Sequence, residues 1–393
     1  MHRQLVLSVT AGLLLWVAPV HADLKLPSPT ENEFHFVVLG DAQFDDPAKF
    51  NRIVDQSRAL GPAFVIQVGD LIEGYQNDLD SVKNEWQRFK QQVAPLDQIP
   101  FLPLPGNHDV YNADRQIDPK LEALYENTWG PLYYSFEYKN ALFIALNSDA
   151  SNSANEIAGK QLKWLQRTLA TSSAAHKFVF MHRPPALLEN AETLHDMFKA
   201  HGVAHVFYGH HHHYHFVERD GIAYTMTNAA ANSAFENDAI GTFHHLLQVS
   251  VRGDQVDVAV IKLDGIVKQD SVYPADNYDF FALSQKLARK TVEMVTLSER
   301  EYTFSITLNN TTSREIRILA SCNSADQRWH ITPMVIEPVV LVAGQTNTLK
   351  LTARFDKDRV PESSPVCTLQ VPFQTHHGRW IEYHQTVAGL RIH

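Results

Sequence analysis

The chain is 393 residues long, with 34 lysines and arginines, 44 aspartates and glutamates, and a formal charge of −10. This length predicts two domains, and an apolar share of 44% excludes both wholesale disorder and a membrane bundle. The acidic balance argues against a protein that coats nucleic acid. The 21 histidines are the most informative feature, because histidine is the commonest metal ligand.

Residues 1–22 are predicted to be a secretory signal peptide. A basic residue near the start is followed by an apolar run over residues 5–20 and by small residues up to Ala22. A membrane anchor is the alternative, but the run is short for a span and Asp23 follows at once. We therefore expect an exported protein, periplasmic or secreted, with no membrane span in the mature chain.

Short apolar runs then alternate with amphipathic stretches up to about residue 265. In chain order, strands are predicted at 34–39, 64–68, 101–104, 133–138, 141–147, 177–181 and 203–208, and helices at 79–93, 121–127, 159–169 and 192–201, with a further helix opening at Asp46-Pro47. Asp220-Gly221 and Gly253-Asp254 are strong turn signals that predict two later hairpins. This alternation predicts an α/β domain with mixed sheets over residues 23–265.

The pattern changes from about residue 292, where helical periodicity stops. Strands are predicted at 302–308, 315–320, 335–342, 347–355, 367–373 and 381–387. Their spacing is typical of a separate, immunoglobulin-like β-sandwich domain over residues 292–393, and residues 266–291 are then a linker with a bridging helix. The sequence shows no exposed aromatic row that would bind carbohydrate, so bracing of the first domain is the default role and a partner is left unidentified.

Cys322 and Cys367 both lie in this β region. In an exported protein they can pair, and we favour a structural disulfide over two buried free thiols.

Metal-ligand residue types follow several predicted strands of the α/β domain. The motifs are Gly40-Asp41, Gly69-Asp70, Gly106-Asn107-His108-Asp109, Met181-His182 and Gly209-His210-His211-His212. A lone Gly-Asp is usually a turn, and a histidine run can be a solvated patch. Their conjunction at strand ends, where ligands collect in α/β sheets, predicts a site for divalent metals. Two metals about 3.5–4 Å apart are suited to phosphoryl transfer.

The series resembles the calcineurin-like metallophosphoesterase superfamily. That family's pattern is Asp-x-His, Gly-Asp-x-x-(Asp/Glu), Gly-Asn-His-(Asp/Glu), His and Gly-His-x-His, and the resemblance covers about residues 34–265. It implies a four-layer α/β/β/α sandwich with two central sheets. The implied activity is hydrolysis of phosphate esters by a metal-bridging hydroxide.

The resemblance also implies a role for each residue that matches. Asp41 and His212 would bind the first metal, together with Gln43, and Asp70 would bridge both metals. The second metal would be held by Asn107, His182 and His210. His108 would protonate the leaving oxygen or steady the phosphate beside Asn107, with Asp109 orienting its ring. Two roles are equally compatible with the position of Arg183 in the sequence: a contact to substrate phosphate, or a salt bridge under Pro184-Pro185.

Gln43 departs from the family pattern, which has histidine there. Because an amide oxygen is a harder and weaker ligand than imidazole, we expect manganese or iron, with zinc or magnesium as alternatives, and the occupancy of the first site is left open.

The leading hypothesis is an exported metal-dependent phosphoesterase acting on phosphomonoesters or small phosphodiesters. The alternative is a catalytically weak protein of the same fold that binds a phosphate ligand or a partner. Turnover with added manganese that is lost in His108→Ala would separate the two.

Overall fold

The computed structural model describes residues 33–42, 47–150, 153–231, 236–323, 328–333, 336–356 and 360–391. The predicted signal peptide, Gln43 and Asp46 lie outside these ranges. Within them, the chain forms an α/β domain followed by an all-β region.

The strands of the α/β domain confirm the alternating pattern of the sequence. They are β1 (Glu33–Leu39), β2 (Val65–Val68), β3 (Phe101–Leu104), β4 (Tyr134–Tyr138), β5 (Ala141–Ala145), β6 (Asp149–Ala150), β7 (Ser153–Ala154), β8 (His176–Phe180), β9 (His205–Tyr208), β10 (His215–Arg219), β11 (Ile222–Met226), β12 (His245–Arg252), β13 (Gln255–Lys262) and β14 (Gly265–Val267).

Helices cover these strands or lead out of the domain. They are α1 (Pro47–Leu60), α2 (Leu79–Val93), α3 (Asn107–Val110), α4 (Pro119–Trp129), α5 (Gly159–Thr171), α6 (Ala191–Ala200) and α7 (Pro274–Lys286), with 3₁₀ turns at Ala94–Leu96, Pro185–Leu187 and Asp238–Ile240. Helix α2 begins where predicted because the Asp78 side chain accepts hydrogen bonds from two backbone amides of its first turn.

Two central sheets pack face to face, in the strand orders β14-β13-β12-β1-β2-β3 and β10-β11-β9-β8-β5-β4. The layer between them is rich in phenylalanine, and Phe36 meets Phe143 edge-on with ring centroids 5.2 Å apart. Each fully buried ring of this kind contributes about 1.5–3 kcal/mol. Helices α1, α2 and α4 cover one sheet, and α5 and α6 cover the other. The predicted four-layer α/β/β/α sandwich is therefore confirmed.

The parallel pairing of strands determines where the loops that follow them meet. Strands β1, β2 and β3 run parallel to one another, as do β5, β8, β9 and β11. The carboxyl ends of parallel strands meet at one edge of each sheet, so the loops that follow them converge.

The C-terminal region is all-β, as predicted. Its strands are β15 (Thr291–Ser298), β16 (Glu301–Asn309), β17 (Ile316–Asn323), β18 (Trp329–Thr332), β19 (Val339–Leu341), β20 (Thr346–Phe355), β21 (Val366–Gln374) and β22 (Trp380–Arg391). They follow one continuous order, β18-β20-β16-β15-β22-β21-β17-β19, rather than two separate sheets. The continuity arises in β15, because its first half pairs with β22 and its second half with β16. The sheet curls around one apolar core.

Cys322 and Cys367 face each other directly on β17 and β21 and form a disulfide with an S–S distance of 2.00 Å. Helix α7 lies within the stretch that the sequence assigns to a linker. Its residues Phe280 and Leu283 are buried in the core of the β region, so one face of the helix packs against that region.

Candidate metal centre

The loops after five strands bring the predicted ligands together. Asp41 follows β1, Asp70 follows β2, and Asn107 opens α3 just after β3. His182 and His210 follow β8 and β9 in the second sheet. Asp41, Asp70 and His182 are each at most 1% exposed, so their charges and lone pairs face one another rather than solvent.

Close backbone approach explains the glycines that precede these ligands. Gly69 has φ +90°, and a Cβ there would lie 2.7 Å from His182 Nδ1. The ligands themselves are also held in unusual conformations, because Asp70, His210 and His212 have φ values of 51°, 78° and 55°. Left-handed backbone at residues other than glycine is uncommon and tends to cluster at functional sites.

The donors form two groups that share Asp70. One group contains Asp70, His182 and His210, and the other contains Asp41, Asp70 and His212; within each group the ligand atoms lie within 4.8 Å of one another. Asn107 joins the first group, since its Oδ1 lies 3.0 Å from His182 Nε2. The structure thus brings together each described residue that the sequence assigns to metal, in the same division between two sites. Gln43 lies outside the described residues.

Neighbouring groups turn the donor atoms toward the cluster. His182 Nδ1 donates to the Val68 carbonyl at 2.9 Å, which leaves Nε2 as the atom that faces Asp70 at 3.1 Å. The Asn107 amide nitrogen donates to the Tyr75 hydroxyl at 2.6 Å, which directs the amide oxygen inward. Such outer partners fix the tautomer and orientation of metal ligands.

The electrostatics of the cluster favour bound positive charge. Burial alone would lower the pKa of His182, but the carboxylates of Asp70 and Asp41 raise it to about 10. Burial raises the pKa of Asp41 to about 6, and the neighbouring charge of Asp70 adds to this rise. Two buried carboxylates among imidazoles therefore need a cation close by, and oxygen and nitrogen donors in this arrangement fit divalent metal ions.

His108 lies beside the cluster with one ring nitrogen directed at it. Its Nδ1 donates to the Glu73 carbonyl at 2.6 Å, and its Nε2 lies 3.9 Å from an oxygen of Asp70. The ring stands edge-on to Tyr75, with centroids 4.4 Å apart. The loop that carries Glu73 and Tyr75 is itself anchored, because the Gly74 amide donates to the carboxylate of the buried Glu85 at 2.9 Å.

The orienting role expected of Asp109 is wrong. Its carboxylate accepts hydrogen bonds from the backbone amides of Gly106, at 2.8 Å, and Leu71, at 3.0 Å. Asp109 sits in the first turn of α3, where its side chain turns back toward the N-terminus of the helix and away from its neighbour His108. The ring of His108 is instead oriented by the Glu73 carbonyl, and Asp109 ties together the loops after β2 and β3.

Arg183 is held by an ion pair whose partner the sequence did not reveal. Its Nε donates to the fully buried Asp149 at 2.6 Å, and its Nη2 donates to the Tyr111 hydroxyl at 3.2 Å. Its Nη1 lies 3.3 Å from His210 Nε2, so the guanidinium reaches the rim of the cluster. The salt bridge weighed in the sequence thus forms with Asp149, and the same geometry keeps Arg183 beside the donors.

Other supporting residues were also missed in the sequence. The Tyr75 hydroxyl holds Asn107, and Asn228 supports two other ligands. The Asn228 amide donates to the His212 carbonyl at 3.2 Å, and its backbone bridges Asp41. The only sequence signal for Tyr75 was its position just after the Gly69-Asp70 motif.

Known proteins contain a similar domain. Residues 34–214, a little under half of the chain, match the family model of the calcineurin-like phosphoesterases. The serine/threonine-protein phosphatase CPPED1 of Rattus norvegicus is 29% identical over 231 residues, which cover 53% of this chain and 70% of that protein. The protein of the same name from Mus musculus is 34% identical over 133 residues, which cover 31% of this chain and 40% of the relative.

Solved structures with a similar chain path include two phosphatases. A dimetal phosphatase from Danio rerio covers 61% of this chain and 99% of its own, with a TM-score of 0.47 and 15% identity. The purple acid phosphatase PPD1 from yellow lupin covers 62% of this chain and 54% of its own, with a TM-score of 0.48 and 15% identity. In the part of the chain that the structure describes, no helix is both long and apolar enough to cross a membrane.

The α/β domain has the metallophosphoesterase fold. The donor cluster, the family match over residues 34–214 and the phosphatase relatives together make this domain similar to the calcineurin-like phosphoesterases.

Proposed function

We propose that the protein is an exported, metal-dependent phosphoesterase that hydrolyses phosphomonoesters or small phosphodiesters at the cluster around Asp70. The observation that carries this proposal is the pair of donor groups that share Asp70, with His108 Nε2 directed at the same carboxylate. A domain that only bound phosphate would not need a histidine placed to move a proton beside two cation sites.

The donor set assigns a role to each ligand. Asp41, His212 and Asp70 would hold one divalent cation, joined by Gln43, and Asp70, Asn107, His182 and His210 would hold the other. Such cations supply Lewis acidity that activates water and offsets phosphoryl charge. We expect manganese or iron, because the oxygen-rich half of the set suits harder metals.

The residues of the chain then position the ester and move protons. Because His108 Nδ1–H is bonded to Glu73, its Nε2 is the atom that gives a proton to the leaving oxygen. Arg183 is fixed by Asp149 at the rim of the cluster, where its guanidinium can donate to a phosphate oxygen.

Export is part of the proposal. It is supported by the basic, apolar and small-residue pattern of residues 1–22 and by the disulfide between Cys322 and Cys367, since structural disulfides persist in oxidising compartments.

The test uses residues 23–393, freed of metal and reloaded with manganese. We expect hydrolysis of 4-nitrophenyl phosphate, its bis-ester or both, and the ratio of the two rates gives the preference for monoesters or diesters. Asp70→Asn, which keeps the shape but removes the shared charge, should abolish turnover. If metal binds but neither ester turns over faster than in the Asp70→Asn control, the weak-binding alternative replaces the enzyme proposal.

A further inference from the structure

A cavity of about 420 Å³ lies directly alongside the donor cluster. Two of its lining residues, His210 and His212, also belong to the candidate metal groups. The remaining walls are formed by His211 and His213 on the same loop and by three residues of α7, which are Asn277, Tyr278 and Phe281. A ligand phosphate at the cluster would therefore have its substituent next to α7.

The walls of this cavity are mainly aromatic. Tyr278 stands edge-on to His211, with ring centroids 6.0 Å apart, and to His213, with centroids 5.8 Å apart. Tyr278 and Phe281 lie three residues apart on one face of α7 and remain 42% and 53% exposed. Two large exposed rings beside a cavity favour a ligand that stacks on them, because aromatic side chains interact with flat rings beyond simple burial.

Helix α7 is fixed firmly enough to form a binding wall. Its buried Asp276 accepts hydrogen bonds from Arg314 Nη2 at 3.0 Å and from the His376 backbone amide at 2.9 Å. Asp279 accepts from Arg314 Nε at 2.7 Å and from the Ser313 amide at 2.7 Å. These contacts face the all-β region, so that region holds the opposite, aromatic face of α7 against the histidine loop.

We propose that this cavity is a leaving-group subsite that selects phosphate monoesters whose leaving group carries a planar aromatic ring. The inference rests on the proposed function, because the phosphate is assigned to the neighbouring cluster. It also gives the C-terminal region a role in specificity, exerted through the position of α7. Both an aryl phosphate and a nucleotide carry a planar aromatic ring, and the experiment below tests which of the two the cavity prefers.

Kinetics of the metal-loaded protein form the first arm. Phenyl phosphate, adenosine 5′-phosphate and glycerol phosphate are compared in the wild type and in Tyr278→Ala. We expect the KM for a preferred aromatic substrate to rise on the order of tenfold while its kcat is kept within about twofold, because a contact equal in ground and transition states is lost. Glycerol phosphate should be unaffected.

Matched variants control for folding and for general surface effects. Tyr278→Phe keeps the ring and should behave as the wild type. Trp380→Ala removes a ring that is 66% exposed at the start of β22, outside the cavity, and should change no substrate. An equal change for aromatic and alkyl esters in Tyr278→Ala, or no change for either, would overturn the inference. Whichever aromatic substrate loses more identifies the source of the ring.

Binding without catalysis forms the second arm. Saturation transfer from the protein to phenol and to adenosine is measured by NMR in the wild type and in the Tyr278→Ala/Phe281→Ala double variant. We expect transfer to at least one ring in the wild type and its loss in the double variant. If no ester is hydrolysed but this loss is seen, the proposed function fails and the cavity remains only as a site that binds aromatic rings. If esters are hydrolysed but neither ring receives saturation, the subsite fails and the proposed function stands.

Discussion

His108 meets the carboxylate cluster through Nε2, since its Nδ1 is bonded to the Glu73 carbonyl at 2.6 Å. His108→Asn removes this proton source and should lower kcat by about 10²–10⁴-fold for alkyl phosphates, whose leaving oxygens need protonation. The loss should be smaller for 4-nitrophenyl phosphate. Metal content, measured on the same samples, should not change, because the ligands stay in place. Equal loss of metal and activity would make His108 a ligand instead.

Tyr75 is a positioning residue that acts through its hydroxyl group. It accepts the 2.6 Å hydrogen bond that directs the Asn107 oxygen toward His182. Tyr75→Phe should weaken manganese binding by about 10–100-fold, as expected when an outer partner of a ligand is removed. Calorimetric titration of the metal-free protein measures this.

Tyr111→Phe is the matched control for this prediction. The Tyr111 hydroxyl bonds Arg183 rather than a ligand. Manganese affinity should therefore stay the same in that variant, and parallel losses in both tyrosine variants would show that the effect is a general disturbance of the pocket.

At the scale of an element, the junction between β3 and α3 needs a glycine at position 106 because a side chain there would not fit. The backbone conformation of Gly106 does not itself require glycine. Gly106 has φ −110°, which any residue adopts, but an added Cβ would lie 2.3 Å from Asp70 Oδ1 and 2.5 Å from the Asp70 amide. Gly106→Ala should therefore displace the shared ligand Asp70 and abolish metal binding, whereas the fold persists.

Gly265→Ala provides the comparison, because nothing lies within 4 Å of a Cβ at that position. Circular dichroism should show native spectra for both variants, with metal binding lost only in Gly106→Ala. Normal metal binding by Gly106→Ala would mean that Asp70 has room to move and is not fixed by the junction.

The strand ends show how far sequence reasoning reaches. Asp41, Asp70 and His182 could be assigned in advance because parallel strands must end at one edge of a sheet, whatever the details of their loops. The partner of His108 could not be predicted, because it is a backbone carbonyl placed by a turn in which Gly74 has φ +59°. Likewise β15 was missed, since it carries exposed apolar residues such as Leu297 and lacks the usual alternation.

At the scale of the whole molecule, histidines buried in both central sheets predict how stability depends on pH. Burial lowers the pKa of His205 in β9 to about 3, and burial is the largest cause that lowers the pKa of His245 in β12 to about 4. An unfolded histidine titrates near 6.5, so between about pH 6.5 and these folded values the unfolded chain binds more protons. Stability from these groups is present above pH 6.5 and is lost as the pH falls toward 4 and 3.

His205→Gln isolates one of these contributions. His205 is 5% exposed, stacks on Phe207 and meets the Thr225 hydroxyl at 3.2 Å, a contact that an uncharged glutamine amide can replace. Below pH 6.5 the free energy of unfolding of the wild type should fall by on the order of 1 kcal/mol more per pH unit than that of the variant. Urea unfolding at about pH 7.5 and about pH 5 measures this. The protein is kept metal-free with a chelator, so that metal release does not contribute.

His377→Gln, at an exposed turn position, is the control, and its stability should depend on pH as that of the wild type does. If His205→Gln also parallels the wild type, His205 does not enter the acid transition as a buried neutral group, and the acid sensitivity arises from the carboxylate cluster instead.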